Sequence, residues 1–145
     1  MAIDEAYHGV SAALEFAVKS LKVESIVIFG HAKCGGINNL MFGNMNDTEF
    51  VGPWVNIAKK AKERTLQYFG DEDPEIQAKA CEQASILLSL ENLLTYPWIR
   101  EKVTEGTLML SGWYFDLDSG QLHAFNAETG TFEPVVDESV VADSK

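Results

Sequence analysis

The sequence predicts an α/β fold built on a small mixed sheet of about three strands, two parallel and one an antiparallel edge, with flanking helices. Three observations carry this. A β-branched and aromatic run, Ile26-Val27-Ile28-Phe29, leads directly into a glycine-bearing turn. A second apolar run covers residues 107–115, and the long stretch between the two has helical spacing. Asp118-Ser119-Gly120 then marks a hairpin turn into the alternating segment Gln121-Leu122-His123-Ala124-Phe125. Strand, helices, strand requires a crossover, which is right-handed between parallel strands.

Taken in order, Val10, Ala13, Leu14, Ala17, Val18 and Leu21 recur at helical spacing, so residues 10–22 form an amphipathic helix. Residues 25–29 follow as a buried strand, then the turn 30–36 and a short helix through Leu40. Gly43, Asn44, Asn46, Asp47, Gly52 and Pro53 mark a loop over 42–53. Residues 54–69 read as a helix stopped by Gly70. Asp73-Pro74 supplies a cap and a first-turn proline for a long helix that ends near Pro97. A helical turn over 98–104 closes at Gly106, and residues 107–115 form the second buried strand. Glu128-Thr129-Gly130 is a further turn. Residues 1–130 thus make one domain, and 131–145 an acidic, loosely held tail.

The chain's 145 residues suffice for one domain with a real core. Net charge is −11, from 22 acidic and 11 basic residues, which argues against a nucleic-acid or anionic-membrane surface. Two cysteines, Cys34 and Cys81, cannot build a disulfide framework, and the acidic start is unlike a signal peptide. No apolar run approaches the ~18 residues of a membrane span. A cytoplasmic, reducing environment is expected.

The densest chemistry lies in Gly30-His31-Ala32-Lys33-Cys34-Gly35-Gly36. A lone H-x-x-C is a weak pattern, and cysteine is often buried simply as a small hydrophobe. The strand before it and the Gly-Gly after it specify backbone geometry as well, and favour a functional pair. Open α/β sheets bind ligands at the carboxyl ends of strands. Imidazole and thiolate are both zinc donors, and a two-residue gap lets one turn aim both at a single ion. A thiolate at a helix start is further favoured by the helix dipole.

With those residues in place, the chain resembles the carboxyl-terminal part of the β-class carbonic anhydrases. The likeness covers most of residues 8–127 in the family's order: His8-Gly9-Val10-Ser11-Ala12-Ala13-Leu14-Glu15, the G-H-x-x-C-G-G piece at 30–36, Ser89-Leu90-Glu91-Asn92-Leu93-Leu94 with Pro97, and Leu108 through Asp116. The resemblance implies zinc-dependent, reversible hydration of carbon dioxide to bicarbonate. It implies His31 and Cys34 as zinc ligands, Gly35 and Gly36 as shapers of the turn that presents them, and a homo-oligomer. The family's first zinc cysteine, and the Asp–Arg pair that governs the fourth zinc position, belong to an upstream C-x-D-x-R motif. No such motif occurs here, and the arginines are Arg64 and Arg100, so no residue of this chain is assigned a catalytic role. The expectation is a truncated domain lacking the family's first half. It would either become active with a complementing upstream fragment, or act as a non-catalytic, weakly metal-binding or assembly module. Loss of the central strand would leave residues 26–29 with an unpaired edge.

Other candidates have plainer readings. Cys81 lies on an apolar helix face with Ala80 and Ala84 and reads as a packed thiol rather than a substitute ligand. His8 reads as a capping or surface group and His123 as an alternating strand side chain, so neither is assigned a role. Trp113-Tyr114-Phe115 reads as sheet packing. Lys59, Lys60, Lys62 and Arg64, with Glu63 among them, read as a solvated helix face. Gly35-Gly36 lacks the spacing of a P-loop or dinucleotide fingerprint, and no nucleophile elbow is present.

Overall fold

Helical spacing of the first apolar set yields α1 (Gly9–Glu15), but the helix does not run on regularly to residue 22. It widens into a π turn over Phe16–Ser20, in which the Leu21 amide donates to the Phe16 carbonyl at 3.0 Å. Lys22, in the left-handed region at φ 55°, then reverses the chain into β1 (Ser25–His31). The computed structural model describes residues 8–44 and 48–136. The remaining helices are α2 (Gly35–Phe42), α3 (Val51–Val55), α4 (Lys59–Phe69), α5 (Pro74–Leu93) and α6 (Pro97–Thr104). The helix expected over 54–69 is thus two helices joined by a 3-10 turn, Asn56–Ala58, and the loop expected over 42–53 ends early, at Val51.

Sheet order is β1-β2-β3-β4. β2 (Met109–Asp116) runs parallel to β1, from Ser25 opposite Met109 to His31 opposite Phe115. β3 (Gln121–Asn126) folds back antiparallel through the expected hairpin. The fourth strand corrects the sequence reading. β4 (Thr131–Pro134) is not tail but pairs antiparallel with β3, placing Phe125 opposite Phe132. The Phe132 ring lies 5.4 Å from that of Phe125 and 6.2 Å from that of Tyr114. One large apolar residue suffices here because it closes over rings already in place. The part of the expected tail from residue 137 onward lies outside the described residues. Phe132→Ala should lower the unfolding free energy in urea by about 2 kcal/mol, below the range for a fully buried ring because Phe132 is half-buried.

The two faces of the sheet differ. Ile26, Ile28 and Gly30 of β1, with Leu110, Gly112 and Tyr114 of β2, turn toward α5. On the opposite face Phe29 is 59% and Met109 63% exposed, with Val27 and Trp113 beside them also exposed. β1 was expected to be buried; one face only is covered. Its outer edge is also unpaired among the described residues.

Helix ends follow sequence logic in part. Asp73 precedes α5 and Pro74 opens it, yet the Asp73 side chain makes no capping bond. Gln77 does the local work instead, donating to the carbonyls of Gly70 and Glu72. The basic stretch of α4 is more than a solvated face. Lys62 donates to the Leu40 and Met41 carbonyls at the end of α2, where a cation suits the helix dipole. Arg64 forms a bidentate pair with Glu91, tying α4 to α5. No helix among the described residues is long and apolar enough to cross a membrane.

Candidate metal centre

β1 ends at His31, and the chain turns through Ala32, Lys33 and Cys34 into α2. Three tethers hold this turn. The Ala32 amide donates to the Phe115 carbonyl at 2.9 Å, the Cys34 amide donates to Glu82 Oε1 at 2.9 Å, and the Lys33 ammonium pairs with Asp118. Lys33 sits in the left-handed region at φ 56°, a conformation costing a non-glycine residue roughly 1–2 kcal/mol. Tethers on both sides of it over-determine that conformation, as is common where a backbone presents functional groups. The turn's left-handed residue is therefore Lys33 and neither glycine. Gly35 and Gly36 are the first two residues of α2, and a Cβ on Gly35 would meet nothing within 4 Å.

His31 and Cys34 line one cleft of about 440 Å³ along the free edge of β1. Its walls are Ile28, Phe29 and Gly30 from β1, Ile37 from α2, Trp54, Val55 and Ile57 from the α3 region, and Glu82, Ser85 and Ile86 from α5. His31 Nδ1 lies 2.8 Å from the Ala32 carbonyl oxygen. A carbonyl only accepts, so Nδ1 carries the proton and Nε2 keeps a lone pair for a metal. Cys34, half-buried, immediately precedes the first residue of α2. This donor chemistry fits zinc as far as it goes. Among the described residues no group of three His, Cys, Asp or Glu side chains could hold a metal ion.

Cys81 is fully buried in a cluster with Ile37, Met41, Ala61 and Leu88, against which Cys34 packs. Burial pushes its thiol up, as expected of a packed cysteine. His123 lies opposite Tyr114 in the β2–β3 register, with ring centres 6.4 Å apart, and does not line the cleft. His8 is exposed at the start of α1.

Sequence reasoning missed Glu82. It is 5% exposed, and its second carboxylate oxygen accepts from the Tyr114 hydroxyl at 2.9 Å. Burial, followed by the adjacent Glu82 carboxylate, holds the Tyr114 phenol well above its usual range. The available signal was an acidic residue on the buried stripe of α5, beside Cys81 and one turn before Ile86.

The family model described as carbonic anhydrase matches residues 2–122. The chain belongs to the β-class carbonic anhydrases. Beta carbonic anhydrase 5, chloroplastic, of Arabidopsis thaliana is 48% identical over 109 residues, which is 72% of this chain and 36% of that protein. Beta carbonic anhydrase 3 of the same plant is 39% identical over 118 residues, 79% of this chain and 46% of that protein. The chain thus spans less than half the length of these curated relatives. Among solved structures, the β-carbonic anhydrase CcaA superposes with a TM-score of 0.84 at 26% identity, over 90% of this chain and 65% of that one. A tetrameric β-carbonic anhydrase from Sordaria macrospora gives 0.74 at 23% identity, over 86% of this chain and 64% of that one. The β-carbonic anhydrase fold therefore extends over about nine-tenths of this chain.

Proposed function

We propose that this chain supplies two of three zinc ligands, His31 through Nε2 and Cys34 through Sγ, to a site that hydrates carbon dioxide reversibly to bicarbonate. The third ligand comes from polypeptide outside the described residues. The carrying observation is that both donors line one cleft while His31 Nδ1 is already engaged by the Ala32 carbonyl. Zinc, when bound, is the Lewis acid that makes water a nucleophile near neutral pH, as in the three-histidine carbonic anhydrases. The apolar walls from Ile28, Ile37, Val55 and Ile86 suit a small uncharged substrate and limit bulk water. The free edge of β1 and the exposed Val27, Phe29 and Trp113 beside it support a complementing segment, or a second copy of the chain, lying against this side.

Stopped-flow hydration of carbon dioxide tests this reading, using the zinc-loaded chain alone and mixed with the amino-terminal half of Arabidopsis beta carbonic anhydrase 5. Hydration above the free-zinc blank is expected in the mixture, with little in the chain alone. No turnover in either sample overturns it.

A second reading is favoured by the absence, among the described residues, of a three-donor group. Here the domain is non-catalytic and its open face serves assembly. Sub-stoichiometric zinc in a stable oligomer is then expected, and a stoichiometric ion with turnover contradicts it.

A further inference from the structure

Among the described residues Glu82 is a buried acid with no basic side chain in salt-bridge contact, and its two oxygens instead meet two uncharged donors. Burying a carboxyl group is costly unless its oxygens find donors, and both of these do. One bond reaches the Cys34 amide across 48 positions of sequence; the other reaches the Tyr114 hydroxyl on the adjoining strand. Glu82 therefore joins α5, β2 and the H-x-x-C turn at one point. That point follows directly on left-handed Lys33, where the backbone direction of Cys34 is decided. On the near side the turn is fixed by the Ala32–Phe115 bond; on the far side Glu82 alone receives the Cys34 amide.

We propose that Glu82 is the positioning residue of this site: its carboxylate clamps the Cys34 amide and so fixes where the Cys34 sulfur stands on the cleft wall beside His31. Tyr114 acts through Glu82, holding the carboxylate in the orientation that faces Cys34. The inference rests on the reading of Cys34 as a metal donor, and it adds a residue that acts through the Cys34 backbone.

The test uses the full chain with Glu82→Leu, which removes both acceptors while filling the volume, and Glu82→Gln, which keeps an acceptor for Cys34. Amide hydrogen exchange at Cys34 is read by NMR against the core amides of β2. Glu82→Leu should accelerate Cys34 exchange on the order of 10–100-fold while the β2 amides stay protected, and Glu82→Gln should restore most of the protection. Titration with cobalt(II), followed by the sulfur-to-cobalt absorption, should show affinity weakened by roughly 10–100-fold in Glu82→Leu and largely recovered in Glu82→Gln.

Unchanged Cys34 exchange in Glu82→Leu overturns the clamp. So does unchanged cobalt affinity when the wild-type chain binds cobalt through sulfur. If Glu82→Leu does not fold, the wild-type chain decides, because a Cys34 amide exchanging as fast as exposed loop amides overturns the proposal. A wild-type chain with a protected Cys34 amide but no sulfur-to-cobalt absorption upholds the clamp and overturns the metal reading instead.

Discussion

A Cys34→Ser chain will hold zinc on the order of 100-fold or more weakly than the wild type, because loss of a mere outer partner of a zinc ligand already costs about 10–100-fold. Competition against a chromophoric chelator measures it. The fold should survive, since Cys34 is half-buried and the bond to Glu82 is made by its backbone amide, which serine retains. His31→Asn should weaken zinc comparably while leaving β1 paired through its backbone. Cys81→Ser should behave in the opposite way. Its side chain is fully buried against Ile37, Met41, Ala61 and Leu88 with the Thr65 hydroxyl within hydrogen-bonding reach, so a serine there should cost only about 1 kcal/mol of stability and leave zinc affinity unchanged. Equal loss of zinc from the Cys34 and Cys81 variants would remove the basis for assigning Cys34 to the metal.

Gly112→Val should be the most damaging change away from the cleft. A Cβ on Gly112 would stand 2.9 Å from Ile86 Cγ2 and 3.2 Å from Leu90 Cδ1, and one on Gly30 would stand 2.6 Å from Ile86 Cδ1. Ile86 is 2% exposed and β-branched, so it has little freedom to step aside. Both glycines exist because α5 lies directly on β1 and β2 at this point. Valine at 112 should cost about 3 kcal/mol, the upper end of ordinary overpacking, and lower the thermal midpoint by roughly 10 °C. Gly35→Ala, with nothing within 4 Å of the added carbon, is the control and should be neutral or slightly stabilising. A Gly112→Val midpoint within a degree or two of wild type would mean that α5 does not rest on the sheet as described.

What the sequence discloses, and what it hides, follows from the range of the forces involved. The strand read over 25–29, two residues short of its end at His31, and the helix that follows its turn are legible because periodicity and glycine punctuation are local signals. The parallel course of β1 and β2 follows from the strand–helices–strand order, which calls for a crossover. β4 was illegible because four residues with Phe132 as the one large apolar group carry no period; only the rings of Tyr114 and Phe125 make them a strand. The π turn at Phe16–Ser20 and left-handed Lys33 leave no residue-type signature, since neither falls on a glycine or asparagine. His31 and Cys34 stand out in the sequence as an imidazole and a thiol three positions apart. Glu82 does not, because its partners lie 48 and 32 positions away and its role appears only when α5 meets both the turn and β2.

The zinc K-edge absorption spectrum of the zinc-loaded wild-type chain bears most directly on the cleft as a metal site. The expected inner shell contains one sulfur at about 2.3 Å and one imidazole nitrogen at about 2.0–2.1 Å, completed by light atoms, and the sulfur should vanish in Cys34→Ser. A wild-type shell of oxygen and nitrogen alone, or a sulfur that persists in Cys34→Ser, would show that His31 and Cys34 do not hold the ion together.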